Sequence, residues 1–130
     1  PLVSLPQLSE QSFYSDPKLT FDPQVCDNYR KRFGEKRGLA LIEAAQSSLR
    51  KQATELQEGF ASQDQEQMTR AVHCLKSSAA NLGSSQLRLS AESLEHRYMQ
   101  GTDLTDLEPV EALLALVKAT LLKVQSYLNA

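Results

Sequence analysis

From residue 22 onward, apolar residues recur at intervals of three and four along most of the chain. That spacing turns one face of a helix toward a core. Val25, Tyr29 and Phe33 mark a first, short helix. Asp22-Pro23 opens it as an N-cap with proline at the first helical position, and Gly34 ends it. From about Lys36 to Gln57 a single stripe runs through Ile42, Ala45, Leu49, Ala53, Leu56 and Phe60, with Gly59 as the expected stop. Ser62-Gln63-Asp64-Gln65 offers capping chemistry for a third helix that runs to Leu82 and closes at Gly83. Ser84 or Ser85 is expected to cap a fourth, with Leu87, Ala91, Leu94 and Tyr98 on one face and Gly101 as the break. A capping box at Thr105–Glu108 with Pro109 just inside opens the last helix. Its buried side carries Val110, Leu113, Leu114, Val117, Leu121, Val124 and Leu128.

Four long amphipathic helices on short connections make neighbours antiparallel. The expected fold is all-α: an antiparallel up-down-up-down four-helix bundle with a short additional N-terminal helix over one open end. Leu107, Leu116 and Leu122 fall off the last helix's main stripe and are candidates for what that short helix covers. Residues 1–20 hold three of the five prolines and several serines, and read as a linker or N-terminal extension. Leu2, Leu5, Leu8, Phe13 and Tyr14 argue against complete disorder there. Residues 21–130 form the domain.

Chemistry concentrates between Ala71 and Gly83. At about 100° per residue, Val72, Leu75, Ala79 and Leu82 fall within about 40° of Met68 and form the core stripe. His73 lies about 140° from Met68, with Lys76, Ser77 and Ala80 around it on the outer side. Arg70 and Thr69, one turn earlier, complete the near surface. The histidine is presented to solvent. An exposed neutral imidazole is a nucleophile that titrates close to physiological pH.

This stretch resembles the phosphoacceptor motif of histidine phosphotransfer (HPt) domains, Ala-His-x-Leu-Lys-Gly-Ser-x-x-x-Leu-Gly. His73, Leu75, Lys76, Ser78, Leu82 and Gly83 match in register. Val72 replaces the usual alanine, and Ser77 the usual glycine that leaves room for a partner's active site. The likeness extends loosely from Phe21 to Leu128, including Leu94-Glu95. It implies that His73 is the phosphoacceptor of a phosphorelay, taking a phosphoryl group from a receiver-domain aspartate and passing it to another receiver. In the family the aspartate and its Mg²⁺ belong to that partner, so no cofactor and no metal are expected here. The resemblance also implies roles around the ring. Lys76 would supply positive charge to the phosphoryl oxygens, Ser77 a hydrogen bond, Ala80 a flat docking surface and Arg70 part of its edge.

Composition narrows the field further. A net charge of −2 with dispersed Lys and Arg gives no nucleic-acid footprint. No apolar run is long enough to span a membrane, so direct membrane contact is not expected. Cys26 and Cys74 lack metal-ligand spacing and read as free thiols of a reducing, cytoplasmic compartment. The resemblance, with the Pro/Ser-containing start, implies a monomeric domain of a larger protein, a bacterial hybrid sensor histidine kinase tethered to the membrane elsewhere. No Gly-rich phosphate loop occurs, so the domain should not phosphorylate itself from ATP.

Other assignments fit less well. Cys74 diverges from His73 by about 100°, which removes a Cys–His nucleophile pair. Arg70 and Ser93 stand where a carboxylate-bridged metal bundle needs glutamate three residues before its histidines. A histidine-kinase dimerisation domain would have an acidic residue directly after the histidine, where Cys74 stands. His96, between Glu92, Glu95 and Gln100, is a second exposed histidine without a lysine one turn on. Because the fourth helix runs antiparallel beside the third, His96, Arg88, Glu92 and Glu95 are candidates to border the docking surface around His73. The alternative function is a non-phosphorylated interaction bundle that only docks receiver domains.

Overall fold

The computed structural model describes residues 20–130, so the expected linker lies almost wholly outside the described residues. Five helices follow in order: α1 (Pro23–Phe33), α2 (Glu35–Ser62), α3 (Gln65–Asn81), α4 (Ser85–Met99) and α5 (Leu107–Asn129). No strand occurs among the described residues. α2, α3, α4 and α5 form a ring in which α2 packs on α3 and α5, and α4 packs on the same two. This is the expected bundle, and α1 lies against α2.

The stripes read from the sequence form the core. Met68, Val72, Leu75 and Ala79 of α3, and Leu82 at its C-cap, are fully buried. So are Leu87, Ala91 and Tyr98 of α4, with Leu94 nearly so, and Ile42, Leu49 and Leu56 of α2. Each large side chain so buried contributes roughly 1.5–3 kcal/mol, which fixes the rotational phase of its helix. Side-chain bonds set the register between helices. Gln65 Nε2 donates to the Tyr98 carbonyl at 2.8 Å, tying the start of α3 to the end of α4. At the bundle's other end, Ser84 Oγ meets Thr120 Oγ1 at 2.9 Å in the core. Thr120 already donates to the Leu116 carbonyl at 2.8 Å, so Ser84 is the donor of the pair.

α1 closes the end that holds the α3–α4 turn. Tyr29 OH donates to the Asn81 carbonyl, and Tyr127 OH donates to Asp27 Oδ1 at 2.6 Å from the end of α5. Arg30 joins the same corner, donating to Tyr127 OH at 2.9 Å and to both oxygens of Glu35. Burial, with Asp27 and Asp22 nearby, pushes the Cys26 thiol up to about 12, which leaves it an inert core residue. α3 ends in a Schellman motif, with Gly83 N–H donating to Ala80 O and Ser84 N–H to Ala79 O. Gly83 has φ +70°, and a Cβ there would stand 2.9 Å from Asp22 Cβ and Val25 Cγ2. Glycine satisfies both demands.

Several local expectations are corrected. Gly59 does not stop α2. It is buried inside the helix, where an added Cβ would lie 3.1 Å from Met68 Cγ, so its smallness serves packing. The stop falls at Gln63, in the left-handed conformation at φ 54°. Ser84 holds the N-cap position of α4 without making a cap bond, because its hydroxyl is committed to Thr120. α5 is capped by Asp106, which accepts from Glu108 N, and not by Thr105. Leu107 and Leu122 are exposed rather than covered by α1, whose apolar face turns to the α3–α4 turn.

Candidate functional site

Burial of the Met68–Leu82 stripe forces His73 outward from the middle of α3, where its side chain is 58% exposed. Glu95 of α4 meets it. Nδ1 of His73 lies 2.5 Å from Glu95 Oε2, and Lys76 Nζ lies 2.9 Å from Glu95 Oε1. One carboxylate thus joins the two side chains that stand one turn apart on α3. Glu95 is only 13% exposed, so it sits beneath the imidazole as a support.

The electrostatics follow from this placement. Burial alone would raise the Glu95 pKa, but hydrogen bonds from Lys76 and His73 outweigh it and hold the carboxyl below its ordinary value. At neutral pH it is ionised and can only accept. Its partner Nδ1 therefore carries a proton, which makes Nε2 the ring nitrogen with a free lone pair in the neutral imidazole.

A polar clasp holds α3 from behind. The hydrogen-bond pattern orients the Gln52 amide with its nitrogen 3.2 Å from the Cys74 carbonyl and 2.9 Å from Ser78 Oγ. Gln67 Nε2 also donates to the Glu55 carbonyl at 3.0 Å. These bonds and the buried stripe hold the helix that carries His73.

An open cleft of about 800 Å³ lies in front of the ring, bordered by His73, Glu95, Gln65, Thr69, Arg70 and Met99. Arg70 is exposed and pairs with Glu66 at 3.7 Å. Thr69 Oγ1 is engaged with the Gln65 carbonyl at 2.7 Å. Ser77 is exposed and Ala80 half-buried. Met99 is 70% exposed, a large apolar side chain at the edge of the cleft.

Of the expected site residues, His73 and Lys76 come together through Glu95, and Arg70 stands at the cleft. The sequence leaves His96, Arg88, Glu92 and Glu95 all able to border the docking surface, and of these Glu95 meets the ring. Arg88 and Glu92 pair with each other at 3.4 Å instead. His96 is exposed and takes no part in the His73–Glu95–Lys76 cluster. The signal for Glu95 lay in the hairpin: His73 and Glu95 stand eleven residues either side of Ser84. A tight antiparallel turn brings equidistant positions level. Among the described residues, no three His, Cys, Asp or Glu side chains gather as a metal site. No described helix is long and apolar enough to cross a membrane.

Comparison with known proteins adds two matches. The Hpt domain family model matches residues 40–127. The fold is similar to the crystal structure of the HPT domain of a sensor hybrid histidine kinase from Shewanella, with a TM-score of 0.71 at 19% identity. That likeness covers 85% of this chain and 94% of the other. No curated protein gives a significant match.

Proposed function

The chain belongs to the Hpt domain family, and from that premise we propose that it takes a phosphoryl group from a receiver-domain aspartate onto His73 and passes it to another receiver. The family makes it a phosphotransfer module of two-component systems. The observation that carries the finer reading is the exposed His73 ring with Nδ1 held by the half-buried Glu95 carboxylate.

In this mechanism the Nε2 lone pair attacks the phosphorus of the partner's acyl phosphate. The bond from phosphorus to the aspartate oxygen breaks, and its electron pair leaves with the carboxylate. The Nδ1 proton stays in place. The ring, now bonded at Nε2, becomes cationic, and Glu95 stabilises that cation. Onward transfer reverses these steps toward a second receiver. Catalysis by this chain is therefore positioning and charge stabilisation. Lys76, already 2.9 Å from Glu95, brings a positive charge to the incoming phosphoryl oxygens. Ser77 offers a donor one turn on, while Ala80 and Arg70 belong to the docking surface. The phosphoryl group is supplied by the partner, on the cytoplasmic side of the parent protein, and residues 21–130 are the working unit.

The test is transfer from a radiolabelled, phosphorylated receiver domain to the full chain and to His73→Gln. Acid-labile, base-stable label is expected on the wild type alone. Label on neither, with receivers that still bind, would replace this reading with the docking-only bundle.

A further inference from the structure

The dispersal of Lys and Arg along the chain has one exception. Residues 30–37 hold five of the fourteen cations and one of the sixteen acids, so this stretch carries +4 and the rest of the chain −6. Arg30 and Glu35 neutralise each other through two hydrogen bonds. Lys31, Arg32, Lys36 and Arg37 are exposed, and none of the four forms an ion pair with another described residue. Arg32 lies over the half-buried Phe33 ring at 6.0 Å.

The fold gathers these charges. α1 gives way to α2 at Gly34, and the two backbones meet again where Gly38 lies against Arg30. Residues 31–37 therefore form a corner whose two ends touch. Helix stability accounts for only half of its cations. Lys31 and Arg32, in the last turn of α1, favour that helix's negative end. Lys36 and Arg37 sit in the first turn of α2, at its positive end, where the dipole opposes them. Like charges held together against a helix dipole fit an anionic partner.

The phosphotransfer site is remote from this corner. Gln52 stands beside Cys74 and Ser78, which marks the level of His73 on α2. Lys36 is sixteen residues earlier, about 24 Å along the helix. A docked domain covering about 800 Å² reaches roughly 16 Å from its centre, so a receiver seated on His73 does not cover the corner. Four charges also fall short of the roughly six to ten phosphate contacts of a nucleic-acid site, and the acidic remainder of the chain repels an extended polyanion. A convex basic corner with an aromatic ring suits a broad anionic plane, where cations meet headgroups and the ring meets the acyl boundary.

We propose that the α1–α2 corner is a peripheral binding surface for an anionic lipid bilayer, with Lys31, Arg32, Lys36 and Arg37 against the headgroups and Phe33 at the interface. No described helix is long and apolar enough to cross a membrane, and this contact needs none. It revises the expectation of no direct membrane contact, which rested on the lack of a span. Each cation strengthens partitioning about fivefold, so the four together give half-binding near ~1 mM accessible lipid. The bundle then meets the bilayer by one end, with His73 about 24 Å from the contact.

Co-sedimentation of the full 130-residue chain with lipid vesicles tests this. At about 0.1 M salt, vesicles of equal parts phosphatidylglycerol and phosphatidylcholine should bind the wild type, and pure phosphatidylcholine should not. Raising the salt to about 1 M should abolish binding. Lys36→Gln with Arg37→Gln should weaken it about 25-fold. Arg50→Gln with Lys51→Gln removes the same charge from exposed positions in the middle of α2 and should bind within about twofold of wild type. All four positions face solvent, so both variants should stay folded by circular dichroism. A folded wild type that ignores anionic vesicles, equal binding to both kinds of vesicle, or equal loss in the two double variants would overturn the proposal. Retention of a duplex DNA oligonucleotide without vesicle binding would assign the corner to nucleic acid and overturn it too. Vesicle binding requires no phosphoryl group, so failure of the phosphotransfer reading would leave this result intact.

Discussion

Glu95 accepts from His73 and Lys76 at once, and the two contacts act at different stages of the proposed chemistry. Before transfer, the His73 contact fixes the Nδ1–H tautomer and so frees Nε2. After transfer, the same carboxylate faces a cationic ring. Glu95→Gln keeps an acceptor for Nδ1–H but removes the charge. A hydrogen bond to a charged group is worth about 1 kcal/mol more than a neutral one. Single-turnover transfer should therefore fall about fivefold, measured as the rate of label appearing on His73. Stability should change with pH in a defined direction. Because the carboxyl is held below its ordinary value when folded, its contribution is complete above the usual carboxylate range of about 4.3 and drains away as pH falls through the folded value. Melting temperatures of wild type and Glu95→Gln should differ at neutral pH and converge in acid. His73 was legible because helical phase alone decides its exposure. Glu95 was not singled out, because its role depends on the register between two helices, which no single stripe contains.

At Gly38 the backbones of α1 and α2 come into close contact. An added Cβ at Gly38 would stand 2.6 Å from Arg30 Cα and 2.8 Å from Arg30 N, both backbone atoms that cannot swing away. Gly38→Ala gains helix propensity of up to about 1 kcal/mol, but forcing the helices apart costs about 1–3 kcal/mol. The backbone clash should dominate, giving a net loss of about 1–2 kcal/mol by urea unfolding, with His73 transfer retained in the folded protein. Its spacing in the sequence does not reveal this contact. Gly59 shows why: a glycine near the end of a stripe signals a stop, yet here it makes room for Met68 in the crossing of α2 and α3. The long helices were legible because their three-and-four spacing survives any choice of neighbour. Cap positions were less so, since Ser84 serves a buried bond to Thr120 in preference to its own helix.

For the whole molecule, the decisive feature is that α4 separates two faces. His73, Glu95 and Met99 border the cleft on one flank, and a groove between α4 and α5 lies on the other. Phosphotransfer through a docked partner requires that the first face be open on a domain-sized scale as well as around one ring. Ser77, exposed one turn after His73, occupies the position where the family places glycine for access. Serine keeps that surface low, whereas phenylalanine would stand beside the imidazole. Because the site faces solvent, Ser77→Phe should change unfolding free energy by no more than about 0.5 kcal/mol. Displacing the partner's acyl phosphate by an ångström or so from Nε2 costs about 100-fold in rate, which is the loss expected from a receiver donor. A small phosphoramidate donor needs no docking surface and should still label His73 in the same variant. Loss of transfer from the receiver with retained labelling by phosphoramidate would locate the effect in docking. Equal loss with both donors would mean that the imidazole itself had been disturbed, and an unfolded variant would mean that Ser77 faces the core.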